Sequence, residues 1–143
     1  MNQHFFGKWL DRAVGGNWIS HRRYLYFRSG TDPHSVELVT EFQVELVTPL
    51  VWAISWQGQT EGRMQIELSG KTLHRDIGYF SSEPTDSHLA SIDDDTVVTT
   101  TTYGGVTYRE EIRYLGDDLR LRQTVGRKDG ELLLAGQYVE RRT

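Results

Sequence analysis

Apolar and polar residues alternate with a period of two along most of this chain, and clusters of Gly, Asp and Ser interrupt the alternation at short intervals. That pattern specifies antiparallel strands joined by tight turns. The beginning differs: between His4 and Val14, the residues Phe5, Phe6, Trp9, Leu10 and Ala13 recur at helical spacing. They predict a short amphipathic helix, ended by Gly15-Gly16. Strands are predicted over residues 17–28, 35–47, 50–57, 63–68, 72–80, 88–92, 96–103, 106–115, 119–127 and 131–140. Ser29-Gly30-Thr31-Asp32-Pro33, Gly58, Gly62, Ser69-Gly70-Lys71, Gly104-Gly105, Gly116-Asp117-Asp118 and Lys128-Asp129-Gly130 supply the turns. The expected fold is all-β, about ten antiparallel strands in an up-and-down barrel with the N-terminal helix capping one mouth. Sequential hairpins without a long crossover favour the barrel over a sandwich. Its interior has room for one small ligand.

Composition narrows the picture. A chain of 143 residues is expected to form one domain, residues 1–143, and is long enough to bury a substantial core. With no cysteine there is no disulfide scaffold, thiolate metal site or cysteine nucleophile. No apolar run approaches the ~20 residues of a membrane span, and no signal peptide opens the chain, so a cytoplasmic or organelle-interior protein is expected. The net charge of −4 argues against a nucleic-acid binder. Among the basic residues, 13 are Arg and 3 are Lys. Arginine grips carboxylates and phosphates with a planar fork, so the excess matters where arginines fall on apolar faces.

Three places put polar groups on such faces. In the strand from Val106, Glu110 shares a face with Val106, Tyr108, Ile112 and Tyr114. A carboxylate there is costly unless a cation or hydrogen-bond donor meets it. It is either a wet-rim or structurally paired group, or a ligand contact, and the pattern weighs these evenly. Arg75 shares its face with Leu73, Ile77 and Tyr79. The run Leu119-Arg120-Leu121-Arg122 has two readings. If the leucines pack outward against the capping helix, Arg120 and Arg122 point into the barrel. If the leucines point inward, the arginines form a solvated face, which on alternation alone is the commoner outcome. Aromatic residues are abundant: Trp18, Tyr24 and Tyr26 share a face with Arg22, and Trp52, Ile54 and Trp56 share another. Most of this is core, but such walls also suit a flat conjugated ligand.

Enzyme motifs are sparse. The five histidines form no metal-spaced pair, and no GxSxG, P-loop or GxGxxG occurs. Asp93-Asp94-Asp95 lacks the spacing of a calcium loop. No metal is expected.

Several segments in order resemble the S-type phycobiliprotein lyases, the CpcS/CpeS family. They are Phe5-Phe6 through Trp18 and His21-Arg22-Arg23-Tyr24-Leu25; Ser55-Trp56-Gln57-Gly58; Leu73-His74-Arg75-Asp76-Ile77-Gly78-Tyr79; Glu110 followed by Asp118-Leu119-Arg120-Leu121-Arg122; and Gln137-Tyr138-Val139-Glu140-Arg141-Arg142. The resemblance implies a lipocalin-like barrel, similar to fatty-acid-binding proteins, that holds a phycobilin (phycocyanobilin or phycoerythrobilin) non-covalently as substrate. It implies attachment of that bilin by a thioether bond to a cysteine of an apo-phycobiliprotein α or β subunit, in a cyanobacterial cytoplasm or plastid stroma. A second copy of the chain or a second lyase subunit is a further implied partner; nucleic acid and membrane are not. Glu110, Arg120 and Arg122 become the candidate catalytic residues. Glu110 would meet the pyrrole nitrogens, and the arginines would anchor propionates or orient Glu110. Trp18, Arg22, Trp56, Arg75 and Tyr79 join them as candidate bilin-binding residues. The competing class is a non-enzymatic lipocalin-type carrier of a bilin or another hydrophobic carboxylate, which explains the arginines but not Glu110.

Overall fold

The computed structural model describes residues 2–28, 32–76 and 83–143. Tyr79, the predicted strand beyond Asp76, and the turn residues Ser29, Gly30 and Thr31 lie outside the described residues. Among the described residues one helix, α1 (Asn2–Asp11), precedes ten strands: β1 (Trp18–Tyr26), β2 (His34–Thr48), β3 (Val51–Gln57), β4 (Gly62–Ser69), β5 (Thr72–Arg75), β6 (Thr85–Ser91), β7 (Thr96–Tyr103), β8 (Val106–Tyr114), β9 (Leu119–Lys128) and β10 (Glu131–Arg142). Each strand pairs antiparallel with the next in sequence, and β1 closes the sheet against β10. Closure pairs the strand edges that an open sheet would leave exposed.

Two boundaries depart from expectation by three residues. The helix stops at Asp11 rather than Val14. The amides of Arg12, Ala13 and Val14 donate to the carbonyls three residues back, on Trp9, Leu10 and Asp11, which tightens the last turn. β6 begins at Thr85 rather than His88. Its polar opening, Thr85-Asp86, shows no apolar alternation, yet it pairs with Arg75 and His74 of β5.

The helix covers one mouth. Its apolar stripe buries Phe6 and Trp9, and Ala13 follows just beyond its end. Trp9 lies edge-on to Tyr114, with ring centroids 5.5 Å apart. Its Nε1 donates to the Asp95 carbonyl in the β6–β7 turn at 3.2 Å, while Trp52 Nε1 donates to Asp11 Oδ1 at 2.9 Å. Below the helix the interior is apolar, filled by Phe42, Val44, Trp52, Met64, Ile66, Leu68, Leu73, Leu89, Val97 and Ile112.

Leu119 and Leu121 face outward, but not onto the helix: Leu121 is 38% exposed on the barrel wall, whereas α1 lies across the mouth. Arg120 and Arg122 therefore point inward, against the solvated face that alternation alone favours. The buried carboxylates Glu110 and Glu140 offset the cost of placing them there.

Candidate functional site

Cross-strand register gathers the polar interior. Opposite residues lie about 5 Å apart, so each pairing below is a near contact. Glu110 of β8 faces Thr124 of β9, and Arg120 and Arg122 of β9 face Glu140 and Tyr138 of β10. Ser20 and Arg22 of β1 face the same two residues, Glu140 and Tyr138, from the other side. Four adjacent strands thus contribute to one band of polar side chains around the inside of the barrel.

Arg122 sits at the centre of this band. Its Nη2 donates to both oxygens of Glu110 at 3.0 Å, and its Nη1 donates to Glu140 Oε2 at 3.3 Å. Glu140 also accepts Arg120 Nε on Oε1 at 2.8 Å, and Arg22 Nη2 stands 4.0 Å from its Oε2. The Thr124 hydroxyl donates to Glu110 Oε2 at 2.8 Å. Aromatic rings pack on the guanidiniums, with Tyr138 4.7 Å from Arg122 and Trp18 5.2 Å from Arg120.

These contacts set the charge states. Burial pushes the Glu110 carboxyl up, but the charges of Arg122 and Arg75 and the Thr124 hydrogen bond hold it below its usual value. Burial acts the same way on Glu140, and Arg122, Arg120, Ser20 and Arg22 hold it down at about 2. Burial and the Glu110 charge raise the Tyr138 phenol. Both carboxyls are therefore ionised at neutral pH, inside the barrel.

A cavity of about 80 Å³ lies between this polar band and the apolar core, lined among others by Phe42, Met64, Arg75, Glu110, Arg120 and Arg122. A wider depression of about 710 Å³ runs along the outer face of β1, β2 and β8–β10, but most of its lining is outward-facing side chains such as His21, Glu37 and Gln123. The inner cavity is where buried charge and apolar surface meet, and it is the candidate site.

Of the residues singled out in the sequence, Glu110, Arg120, Arg122 and Arg75 line this cavity. Trp18, Arg22 and Trp56 are not among its lining residues. Trp18 is stacked on Phe42 behind Arg120, with centroids 6.0 Å apart. Arg22 is buried beside Ser20, whose Oγ accepts its Nε at 3.0 Å. Trp56 packs at the margin of the apolar core. Tyr79 lies outside the described residues. Four participants were missed: Glu140, Tyr138, Thr124 and Ser20. The signal for Glu140 was available, since it follows Leu134, Gly136 and Tyr138 at period two on one face of β10. Thr124 follows Arg120 and Arg122 in the same way. Among the described residues no group of three or more His, Asp or Glu could hold a metal ion.

Comparison with known proteins bears on the family and the fold. A candidate phycocyanobilin lyase of Nostoc sp., CpcS 2, is 27% identical over 153 aligned positions covering 89% of this chain and 85% of the relative. A candidate chromophore lyase of Picosynechococcus sp., CpcV, is 26% identical, covering 89% of this chain and 76% of the relative. The solved S-type phycobiliprotein lyase of Guillardia theta superposes with a TM-score of 0.72 at 18% identity, over 95% of this chain and 91% of that one, and shares the fold. Residues 31–143 match the family described as CpeS-like protein. The chain belongs to that family, the family of the S-type phycobiliprotein lyases.

Proposed function

We propose that this protein is a bilin lyase that holds a linear tetrapyrrole non-covalently in its barrel and passes it to a cysteine of an apo-phycobiliprotein subunit. The observation that carries the reading is the buried Glu110, bound by Arg122 and facing a cavity whose wall combines apolar side chains with Arg75, Arg120 and Arg122. A bilin offers the matching chemistry: pyrrole nitrogens that become cationic on protonation, two propionates and a long conjugated face. Glu110 suits the nitrogens, and a buried carboxylate is stabilised when a cation arrives. Arg75, Arg120 and Arg122 suit the propionates through charge-assisted hydrogen bonds. A carrier of a simple carboxylate would instead meet repulsion from Glu110. The names of the relatives support the same substrate class.

In this reading the acceptor's S–H adds across the ring A ethylidene. Sulfur forms the thioether, and the proton ends on the neighbouring ring carbon. The lyase contributes geometry, a charged environment that keeps the bilin protonated, and exclusion of other attack. Pockets for larger ligands run to roughly 300–1,000 Å³, so the cavity must widen on binding, with side chains at the margin of the apolar core giving way. The protein would act in the compartment where phycobiliproteins are assembled.

The test is direct. Purified protein mixed with phycocyanobilin is expected to give a shifted, sharper visible band, and acid-urea treatment releases free bilin, because the chain has no cysteine to hold it. With an apo-subunit present, the pigment becomes covalent on the subunit. An unchanged bilin spectrum, or pigment covalently fixed to this chain, refutes the proposal.

A further inference from the structure

We infer that Glu140 is a positioning residue of the bilin site: it holds Arg122 and Arg120 from behind and balances their charge, so that the site stays negative enough at Glu110 to suit a protonated bilin. The inference rests on the bilin reading above and assigns a role within that site to a residue that does not line the cavity.

The argument starts from the sharing of Arg122. Its two terminal nitrogens point to different carboxylates, Nη2 to Glu110 and Nη1 to Glu140. Arg120 turns its Nε toward Glu140 as well, and Arg22 completes the set from β1. Glu140 is thus the common partner of three arginines and is 0% exposed. Glu110, by contrast, lines the cavity and accepts hydrogen bonds from Arg122 and Thr124.

Consider the band without the Glu140 charge. The three arginines would then face one remaining carboxylate, Glu110. Glu110 would stay ionised, but the excess positive field around it would outweigh its charge and favour a neutral bilin over a protonated one. Arg120 and Arg122 would also lose the anchor that fixes their direction, and long guanidinium side chains are free to reorient when a fixed partner is lost. With Glu140 in place, Arg122 keeps one face for each carboxylate, and the guanidinium plane is pinned by two anions at once. Glu140 therefore acts through Arg122 on Glu110, and through Glu110 on the ligand.

A purely structural ion pair would stabilise the barrel and leave the bound pigment's colour alone. A positioning role changes the colour. The experiment compares wild-type protein with Glu140→Gln and Glu140→Asp, each mixed with phycocyanobilin and checked by circular dichroism for the barrel. Glu140→Gln keeps shape and hydrogen bonding but removes the charge. It is expected to bind bilin and lose the red-shifted, protonated band, with transfer to an acceptor subunit falling about 100-fold as the site is mispositioned. Glu140→Asp keeps the charge and is expected to retain the band. If Glu140→Gln does not fold, the double variant Arg120→Met with Glu140→Gln removes one charge of each sign; the charge balance is then that of the wild type, but Arg122 still lacks its second anion, so it too is expected to bind bilin without the protonated band. A folded Glu140→Gln or double variant with the wild-type spectrum and wild-type transfer overturns the inference and leaves the bilin reading intact. A wild-type protein that leaves the bilin spectrum unchanged overturns the bilin reading and this role together.

Discussion

Glu110→Gln separates charge from shape at a single residue. The substitution keeps the size of the side chain and leaves Arg122 and Thr124 with an oxygen to donate to, but the anion is gone. Bound bilin is expected to lose its protonated band while still binding, and visible spectroscopy reads that outcome. Arg122→Ala differs in kind, because it strips the shared partner from two buried carboxylates. Breaking a buried pair in this way costs roughly 3–5 kcal/mol, to be measured by urea unfolding. The same residues show how far the site was legible beforehand. Glu110 stood out because its neighbours at period two are apolar. Arg120 and Arg122 did not, since alternation fixes which residues share a face but not which face is inside. The resemblance to the lyases favoured the inward choice. Glu140 was passed over, although the rule that exposed Glu110 applies to β10 without change.

Trp56 and Gly62 face each other across β3 and β4, and their fit belongs to the pair of strands rather than to either residue. A Cβ at position 62 would lie 2.2 Å from the Trp56 ring, so the indole rests on ground that only glycine leaves open. Gly62→Ala is expected to displace the ring and cost about 1–3 kcal/mol, as overpacking does, with the loss read from thermal unfolding and the change in indole environment from fluorescence. At the other mouth, α1 is held mainly by Phe6 and Trp9. Trp9→Ala should cost roughly 3–5 kcal/mol by urea unfolding, because it empties a buried aromatic site and removes the tie to the β6–β7 turn. Most elements were readable because their turns are chemically marked. Gly104-Gly105 and Asp129-Gly130 have positive φ at both central residues, as two-residue hairpins require. Gly62 reads in the sequence as a turn residue, whereas it opens β4. A glycine that makes room for a ring on the next strand looks the same in sequence as one that makes a turn.

Across the whole molecule, the described strands close into one ring around the interior ion cluster, so the cluster and the sheet should fail together. The sign of the pH effect follows from the carboxyls. Glu140 is held at about 2 in the folded protein against a reference value of 4.5, and Glu110 is shifted in the same direction. A group whose folded pKa is depressed contributes its stability above the unfolded value and loses it as pH falls toward the folded one. Glu140 alone therefore contributes roughly 3 kcal/mol at neutral pH. Stability is expected to be flat near neutrality, to decline as pH drops below about 4.5, and to go on declining toward pH 2. Tryptophan fluorescence and far-ultraviolet circular dichroism should report one coincident transition, because Trp18 and Trp52 sit inside the same closed sheet that carries the carboxylates. Glu140→Gln supplies the control: it starts less stable at neutral pH and loses less on acidification, since one of the titrating groups has been removed. A wild-type protein with constant stability between pH 5 and pH 2.5, or a Glu140→Gln profile parallel to the wild type, would show that the buried carboxylates do not govern the acid response.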